Sequence, residues 1–395
     1  MKIVQSVSGK FHHFHLARQL FQRDVLEGIF SSYPPQKLWD EGILMDKVHS
    51  FPWVNLFERG VQRFGLTARQ TWALSRWHRE SFDAYVARHL PECDVLLAHS
   101  GSGLIAGKLA QTRGSRYVCD RGAAHIRFWS EFLPEEFARW GEVFPGVDPQ
   151  DVAREEAEYA QADVITLPSR FAFRSFTDKG VPAEKIRVVP YGANLASFSK
   201  VADPDPETFE VLFVGAVSFL KGIPYLLEAF ERLRHPKKRL TLVGAVLPEM
   251  ARYLQRKSLE NVELTGPLPS SRLPEMMSRS HVMVFPSLND GFGMVMGEAM
   301  ACGCPVIAST NSGGEHLIET GQEGFLIPIR DPGAIWERLN QLAQDPELRG
   351  RMGQASLLRV ASLGGWDQYG AEMITVLTDL SGRREAAARP SSRGY

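Results

Sequence analysis

Cysteine is scarce in this sequence of 395 residues, which contains four of them. The pair Cys302-Gly-Cys304 has no second cysteine pair and no histidine cluster nearby, so the spacing of a structural zinc site is missing. The other two, Cys93 and Cys119, stand alone. We therefore expect four reduced, buried cysteines that behave as small apolar residues in a cytosolic protein.

Long apolar runs and an excess of one charge are also missing. No window approaches the ~20 apolar residues that a membrane span needs. The opening Met1-Lys-Ile-Val-Gln5 is typical of a strand, so no signal peptide is expected. With 45 basic and 46 acidic residues, the net charge is −1, and nothing global indicates binding to nucleic acid. The length suggests two domains of ordinary globular composition.

Short apolar runs that end at Gly, Ser or Pro alternate with helical stretches along the chain. Such strands predict parallel sheets covered on both faces, and two sets predict an α/β protein with two Rossmann-like domains. The predicted strands are Ile3–Val7, Asp94–His99, Arg116–Asp120, Asp163–Leu167 and Ile186–Val189 in the first half, and Val211–Gly215, Leu240–Gly244, Val262–Gly266, Val282–Pro286, Pro305–Ser309 and Phe325–Ile327 in the second.

The most informative segment is residues 285–308, which reads as strand, glycine turn, helix, small-residue turn and strand. Asp290 precedes the turn and Glu298 follows it, with seven residues between them. The turn Gly291-Phe292-Gly293 leaves backbone N–H groups free at the start of a helix, where anions are attracted. A carboxylate on each side of such a turn could hold the hydroxyls of a sugar and of a ribose.

This segment resembles the signature of family four of the glycosyltransferases, which have the GT-B fold: two Rossmann-like domains facing each other across a cleft. The resemblance covers roughly the first 380 residues and is strongest from Asp163 onward. It implies retaining transfer of a sugar from a nucleoside diphosphate donor to a hydroxyl of a saccharide, lipid-linked or small-molecule acceptor. It implies no metal or other cofactor. Family habit suggests envelope polysaccharide or glycolipid synthesis in the cytoplasm, with contact to the inner face of the membrane as an option.

The resemblance also implies domain boundaries. They are an acceptor domain at residues 1–195, a linker at 196–208, a donor domain at 209–363 and a helix at 364–381 that crosses back to the first domain. In the linker, Asp203-Pro-Asp-Pro206 should be extended and exposed. The last residues, 382–395, contain too few apolar side chains to pack, so disorder is expected there.

The donor residues follow from the same resemblance. Glu298 would bind the ribose hydroxyls, and Asp290, where relatives usually have Glu, would contact the transferred sugar. Lys221, in a second signature that opens at Gly215, would neutralise the diphosphate leaving group. The remaining donor contacts would come from backbone at Gly9, Gly215, Leu268 and the turn Gly291, Phe292 and Gly293.

One departure from the family pattern concerns the diphosphate site. Relatives usually have Arg after the first glycine of the second signature, whereas this chain has Ala216. Either Lys221 acts with backbone dipoles alone, or Arg170, Arg187 or Arg121 supplies the second positive charge. The departure keeps open a non-catalytic GT-B scaffold or regulatory protein. A dinucleotide-dependent oxidoreductase is disfavoured, because Gly-x-Gly-x-x-Gly does not follow the first strand.

The acceptor domain offers polar groups at strand ends. Many relatives have His where Asp120 ends its strand, so Asp120 and His125 are assigned to the reaction region. His12, His13 and His15 lack an acid or cysteine nearby in the sequence, which argues against a metal site, although one of them could border the acceptor pocket. Aromatic residues are expected to line an acceptor groove; they are Phe128, Trp129, Phe132, Phe137 and Trp140.

The segment Arg59–Arg79 contains five arginines and no acid. Two interpretations stay open: a basic amphipathic face that meets an anionic membrane, or a solvated helix whose aromatic side chains pack inward.

Overall fold

The computed structural model of the chain describes residues 1–10, 12–62, 65–192 and 197–388. Within them the fold is α/β, with one parallel sheet of seven strands and one of six, as predicted. The first sheet has the order β3-β2-β1-β4-β5-β6-β7 and the second the order β10-β9-β8-β11-β12-β13. The strands are β1 Ile3–Val7, β2 Leu26–Ser31, β3 Val48–Ser50, β4 Val95–His99, β5 Arg116–Asp120, β6 Val164–Leu167, β7 Ile186–Val188, β8 Phe209–Val214, β9 Lys238–Val243, β10 Val262–Gly266, β11 Val282–Phe285, β12 Val306–Ser309 and β13 Gly324–Ile327.

Within each sheet, helices connect strands that follow one another in the chain, as parallel pairing requires. Five short 3₁₀ helices of the described residues lie at Pro35–Lys37, Trp39–Glu41, Met45–Lys47, Ala183–Lys185 and Ser270–Arg272. The α-helices are α1 His13–Gln22, α2 Trp53–Gln62, α3 Ala68–His89, α4 Leu104–Thr112, α5 Ile126–Arg139, α6 Pro149–Gln161, α7 Arg170–Thr177, α8 Ile223–Arg232, α9 Pro248–Leu254, α10 Leu273–Arg279, α11 Val295–Ala301, α12 Gly314–Leu317, α13 Pro332–Gln344, α14 Pro346–Ser362 and α15 Gly365–Ala388.

The order of strands reverses at the first strand of each sheet. β1 pairs with β2 on one side and β4 on the other, and β8 likewise pairs with β9 and β11. In parallel sheets, ligands bind outside the carboxyl ends of the strands at such a reversal. The loops after β1, β4 and β5, and those after β8 and β11, are therefore the ones that can form a site.

The sequence missed β2 and β3. β2 contains Glu27 and Gly28, which interrupt its apolar run, and β3 is only three residues long at the edge of the sheet. The period of apolar residues is therefore too weak there to indicate a strand.

The last helix, α15, packs against the first half of the chain. Tyr369, Met373 and Leu377 are buried in one apolar cluster with Phe14 and Leu20 of α1. The helix continues to Ala388, whereas the sequence predicted an end at 381 and disorder beyond it. The reason is that Ala, Arg and Glu between 383 and 388 favour helix even without an apolar face to bury. Positions 193–196 of the expected boundary region and 389–395 lie outside the described residues.

A second contact joins the two halves through α5. Phe137 is buried in the core of the second half, and its ring lies 5.3 Å from that of Phe219. Trp140 lies 5.3 Å from Tyr225 of α8 and 5.4 Å from Tyr253 of α9. The two sheets are thus held together by both α15 and α5. In the part of the chain described, no helix combines the length and hydrophobicity required to cross a bilayer.

Candidate functional site

A cavity of about 730 Å³ lies between the two halves, where the loops after β1, β4 and β5 face those after β8 and β11. Its walls include six of the residues predicted for donor binding or catalysis. These are Gly215, Lys221, Asp290, Phe292, Gly293 and Glu298. The first half contributes a wall of mixed character, formed by His12, His99, Arg121, Gly122, Ala123, Ile126, Trp129, Val147 and Tyr191.

Asp290 and Lys221 form an ion pair in this cavity. The other carboxylate oxygen of Asp290 accepts a hydrogen bond from the backbone N–H of Phe292 at 3.1 Å, which fixes the turn. The ammonium group of Lys221 also lies 5.4 Å from the centre of the Phe285 ring. The positive charge of Lys221 is therefore paired with Asp290, and it lies on the cavity wall, where it can bind an anionic ligand.

Glu298 projects from α11 into the same cavity. Burial raises the pKa of its carboxyl group to about 7. Among the described residues we find neither a hydrogen bond nor an ion pair to this carboxylate. A half-buried carboxylate without partners is costly unless a ligand supplies donors, so the group is suited to accept hydrogen bonds from two neighbouring hydroxyls.

Gly291 does not line the cavity; it contacts the backbone of the first half instead. A Cβ atom at this position would lie 1.8 Å from the carbonyl oxygen of Gly122 and 2.9 Å from the Cα of Ala123. The turn of the second half therefore touches the loop after β5 directly, backbone against backbone. Gly9 and Leu268 are not part of the cavity wall: Gly9 accepts a hydrogen bond from Ser31 at 2.9 Å, and Leu268 packs on the core of the second half.

Asp120 and His125 do not open into the cleft as the sequence suggested. Asp120 is 3 % exposed and lies behind His12, whose Nε2 is 2.6 Å from its Oδ2. His125 caps α5, since its Nδ1 accepts a hydrogen bond from the N–H of Arg127 at 3.2 Å. Its ring is buried against Tyr159, and burial lowers its pKa to about 4. His125 thus serves the local fold, and Asp120 reaches the cavity only through His12.

The structure brings to the histidines an acid that is distant in the sequence: Asp120 lies beside both His12 and His13. Its Oδ2 lies 3.2 Å from Nε2 of His13 as well as 2.6 Å from that of His12. Two imidazoles and one carboxylate are a donor set that metals accept, and their atoms lie within 4.8 Å of one another. The metal-free expectation accordingly stays a prediction. His15 lies apart, stacked on Trp366 at 4.0 Å.

Of the three candidates for a second positive charge, Arg121 alone lines the cavity. Its Nη1 lies 2.7 Å from Glu155 of α6, and its Nε donates to the carbonyl oxygen of Ala124 at 3.2 Å. Arg187 donates to the backbone carbonyl oxygens of Glu184 and Ile186, and Arg170 is exposed at the start of α7. Because Glu155 already matches the charge of Arg121, this arginine is not a simple replacement for the residue missing at Ala216.

The aromatic groove is formed only in part. Trp129 and Ile126 line the cavity, but Phe137 and Trp140 pack into the second half instead. The sequence did not single out Tyr191, whose ring lies 4.2 Å from His12 and 5.6 Å from Phe292. The signal available for it was the Pro190-Tyr-Gly192 string, which begins two residues after the end of β7.

The basic segment Arg59–Arg79 lies on α2 and α3, with positions 63 and 64 outside the described residues. Arg76 and Arg79 pair with Asp148 and Asp151. Beside them is an exposed apolar hollow of about 620 Å³, which we call the aromatic surface; it is lined by Phe51, Trp53, Val54, Leu56, Phe57, Trp77 and Ser81. Trp77 of the segment is 44 % exposed and the neighbouring Trp53 is 72 % exposed, so neither of these side chains is buried in the core.

Comparison with known proteins agrees with this geometry. Residues 197–359 match the family described as glycosyl transferases group 1. Over 247 residues the chain is 29 % identical to a D-inositol 3-phosphate glycosyltransferase of Pseudarthrobacter chlorophenolicus, which covers 57 % of this chain and 59 % of that protein. A second such enzyme, of Catenulispora acidiphila, is 28 % identical over 324 residues, 75 % of this chain and 74 % of that protein. The first such alignments span about three fifths of the relatives' length.

Solved structures resemble the whole chain. HepE of Anabaena, in complex with UDP, superposes with a TM-score of 0.69 at 18 % identity, over 96 % of this chain and 100 % of that one. Sucrose-phosphate synthase of Thermosynechococcus elongatus gives a TM-score of 0.69 at 20 % identity, over 97 % and 100 %. Residues 197–359 therefore match the group 1 glycosyltransferases, and the chain as a whole has the GT-B fold of these solved structures.

Proposed function

We propose that the protein transfers a sugar, with retention of configuration, from a nucleoside diphosphate sugar to a hydroxyl group of a saccharide, lipid-linked or small-molecule acceptor. The observation that carries the proposal is Glu298, an unpartnered carboxylate in the same cavity as Lys221 and Asp290. Glu298 accepts hydrogen bonds from the ribose hydroxyls, Lys221 binds the diphosphate, and Asp290 contacts the transferred sugar. The backbone of Gly215, Phe292 and Gly293 supplies the remaining contacts.

In this reaction the bond between C1 of the sugar and the diphosphate oxygen breaks, and a bond from C1 to the acceptor oxygen forms on the same face. The proton of the acceptor hydroxyl passes to the leaving diphosphate. Lys221 stabilises the negative charge that grows on the leaving group. When the diphosphate arrives, Lys221 exchanges Asp290 for phosphate, which leaves the carboxylate of Asp290 free to accept sugar hydroxyls. The walls of the cavity hold donor and acceptor in register and exclude water.

UDP is the nucleotide we propose first, because structures of HepE contain UDP and UDP-glucose. Thermal unfolding with UDP, GDP, ADP, TDP and NAD, on the wild type and on Glu298→Ala, tests the donor site. A nucleoside diphosphate at about 100 times its dissociation constant should add ~2.7 kcal/mol to the wild type and much less to the variant. A response to NAD alone contradicts the proposal.

A non-catalytic GT-B protein is the second candidate, favoured by Ala216 and by the pairing of Arg121 with Glu155. It predicts no turnover of any nucleotide sugar even where a nucleotide binds. Release of UDP from UDP-glucose, measured with and without candidate acceptors, separates the two functions. D-inositol 3-phosphate is the first acceptor to include, since relatives in Pseudarthrobacter and Catenulispora are named for it.

We also propose that the aromatic surface contacts the cytoplasmic face of a membrane and brings the protein to a lipid-linked acceptor in envelope glycolipid or polysaccharide synthesis. Exposed Trp53 and Phe57, beside the basic segment Arg59–Arg79, have the composition of an interfacial anchor. After sedimentation with phosphatidylglycerol vesicles, more of the wild type than of Trp53→Ser should be found in the pellet. With phosphatidylcholine vesicles, less of both proteins should be found there. Equal depletion of wild type and variant rules out this surface as the anchor.

A further inference from the structure

His12 is the cavity-facing member of a buried histidine–carboxylate pair. It lies on the cavity wall, immediately before α1, and is 6 % exposed. Behind it, Asp120 at the end of β5 accepts a hydrogen bond from its Nε2 at 2.6 Å. The pair thus joins the loop after β1 to the loop after β5, two of the loops that form the site.

The other contacts of Asp120 hold it as an anion. Thr166 donates its hydroxyl to Oδ1, and Nε2 of His13 lies 3.2 Å from Oδ2. Although burial alone would raise the pKa of Asp120, the neighbouring imidazoles and these hydrogen bonds hold it well below its usual range. An ionised carboxylate accepts only, so His12 carries its proton on Nε2, and in the neutral ring Nδ1 remains an acceptor.

Tyr191 connects His12 to the opposite wall. Its ring lies 4.2 Å from His12 and 5.6 Å from Phe292, which follows the Asp290–Gly291 turn. Burial raises the pKa of its phenol, and the charges of both Asp120 and Asp290 add to this effect. His12 and Asp290 thus lie on the wall of the same cavity, and Gly122 links them: a Cβ atom on Gly122 would lie 3.8 Å from Cε1 of His12, and one on Gly291 would lie 1.8 Å from the carbonyl oxygen of Gly122.

From this geometry we infer that His12 hydrogen-bonds a hydroxyl of the transferred sugar opposite Asp290, and that Asp120 is a positioning residue that fixes the imidazole of His12. The inference rests on the proposed function, in which Asp290 contacts that sugar. It assigns sugar recognition to both halves of the chain. His12 then adds to the affinity for the sugar moiety of the donor and not to the affinity for its nucleotide.

The experiment compares UDP with UDP-glucose. Binding of each is measured by calorimetry, and slow hydrolysis of UDP-glucose is followed from pH 5 to 9, for the wild type, His12→Ala, His12→Gln and Asp120→Asn. His78→Gln is the matched control, because His78 forms a similar buried pair with Glu58 on α2 and α3, away from the cavity.

We expect UDP to bind all five proteins alike. His12→Ala should lose roughly tenfold in affinity for UDP-glucose relative to UDP and in hydrolysis rate, as expected for one hydrogen bond. His12→Gln, which keeps an acceptor, should recover part of this loss. Asp120→Asn should change the pH profile of hydrolysis while His12 is intact, which a purely structural role would not do. His78→Gln should match the wild type in every measurement.

Four outcomes overturn the inference. If the wild type binds no UDP, the proposed function fails and the inference fails with it. If the wild type binds UDP but His12→Ala keeps full affinity for UDP-glucose and full hydrolysis, only the inference fails. Loss of UDP binding in His12→Ala would show that His12 supports the fold or binds the nucleotide, and not the sugar. Stoichiometric metal in the wild type that His12→Ala and Asp120→Asn both lose would make the cluster a metal site instead.

Discussion

Gly291 and Gly122 touch across the cleft, one from each half of the chain. A Cβ atom on Gly291 would lie 1.8 Å from the carbonyl oxygen of Gly122. Backbone at this position cannot move aside as the end of a flexible side chain can, so any residue with a Cβ must separate the two loops. The width of the cavity between Asp290 and the first half is set at this point.

Gly291→Ala should therefore slow sugar transfer while nucleotide binding survives. Displacement of the turn by about 1 Å can cost on the order of 100-fold in rate, because the sugar is no longer held against both walls. The proposed contacts of UDP with Lys221 and Glu298 lie in the second half and should persist. UDP-glucose hydrolysis and the thermal shift with UDP measure the two effects. Gly350→Ala, in α14 with no atom near its Cβ, is the control and should be at least as stable as the wild type.

Glu298 should make nucleotide binding depend on pH near neutrality. Burial raises its pKa to about 7, and ribose hydroxyls donate best to the ionised form, so UDP affinity should rise as pH increases through 7. The free protein should behave in the opposite way. Because the ordinary pKa is 4.5, the carboxyl group ionises in the unfolded chain while the fold still keeps it protonated, so the free energy of unfolding falls as pH rises from 4.5 to about 7.

Calorimetry with UDP from pH 5.5 to 8.5 checks this dependence. Glu298→Gln should bind UDP weakly at every pH, with the dependence near pH 7 removed. Glu275→Gln, on the surface of α10 where Glu275 pairs with Arg279, should keep the profile of the wild type. A wild type whose UDP affinity is flat across this range would show that Glu298 does not receive the ribose.

Much of the fold was accessible from the sequence because buried parallel strands are continuous apolar runs. Strands such as β5 and β10 have the predicted bounds. β2 and β3 were missed, since a glutamate, a glycine and a short edge strand weaken the pattern. In the donor half, Asp290 and Glu298 lie in one local string, so its glycine turn and its resemblance to the family signature were enough to predict that both belong to the site.

The first half of the site could not be predicted in the same way, because its residues meet only through tertiary structure. His12 and Asp120 are separated by more than 100 positions, and no local pattern indicates that they form a pair. His125 lies close to a strand end in the sequence, but its side chain caps α5 and therefore does not reach the cavity. Phe137 and Trp140 read as acceptor aromatics, whereas the path of α5 across the cleft takes them into the other core.

Substitutions of Lys221 and of Asp290 should change the affinity for UDP in opposite directions. Lys221→Met removes the cation that we propose binds the diphosphate, and the loss of a charge-assisted hydrogen bond of about 1.5–3 kcal/mol should weaken UDP binding by roughly 10- to 150-fold. Asp290→Asn removes the partner of Lys221, so UDP should bind at least as well as to the wild type. UDP-glucose hydrolysis should nevertheless fall in Asp290→Asn, because the sugar loses a charged acceptor. Weaker UDP binding by Asp290→Asn would show that the ion pair holds Lys221 in place.

Glu136 of α5 should hold the two halves together more strongly than its neighbour Glu135. Its buried carboxylate accepts hydrogen bonds from Tyr225 at 2.8 Å and Arg330 at 2.7 Å, both in the second half, and from Trp140 at 2.8 Å. Glu135 also bonds Arg330, at 2.9 Å, but its side chain is 63 % exposed.

Glu136→Gln replaces one buried carboxylate oxygen by an NH₂ group, which cannot accept a hydrogen bond, so at least one buried donor loses its partner. The substitution should therefore lower the free energy of unfolding by about 1–3 kcal/mol. Glu135→Gln should change it by less than about 0.5 kcal/mol, as is usual for exposed ion pairs. Urea unfolding followed by tryptophan fluorescence compares the two variants. A loss of cooperativity in Glu136→Gln alone would mean that the halves unfold separately once this contact is weakened. Equal effects of the two substitutions would show that contacts of α15, rather than α5, couple the halves.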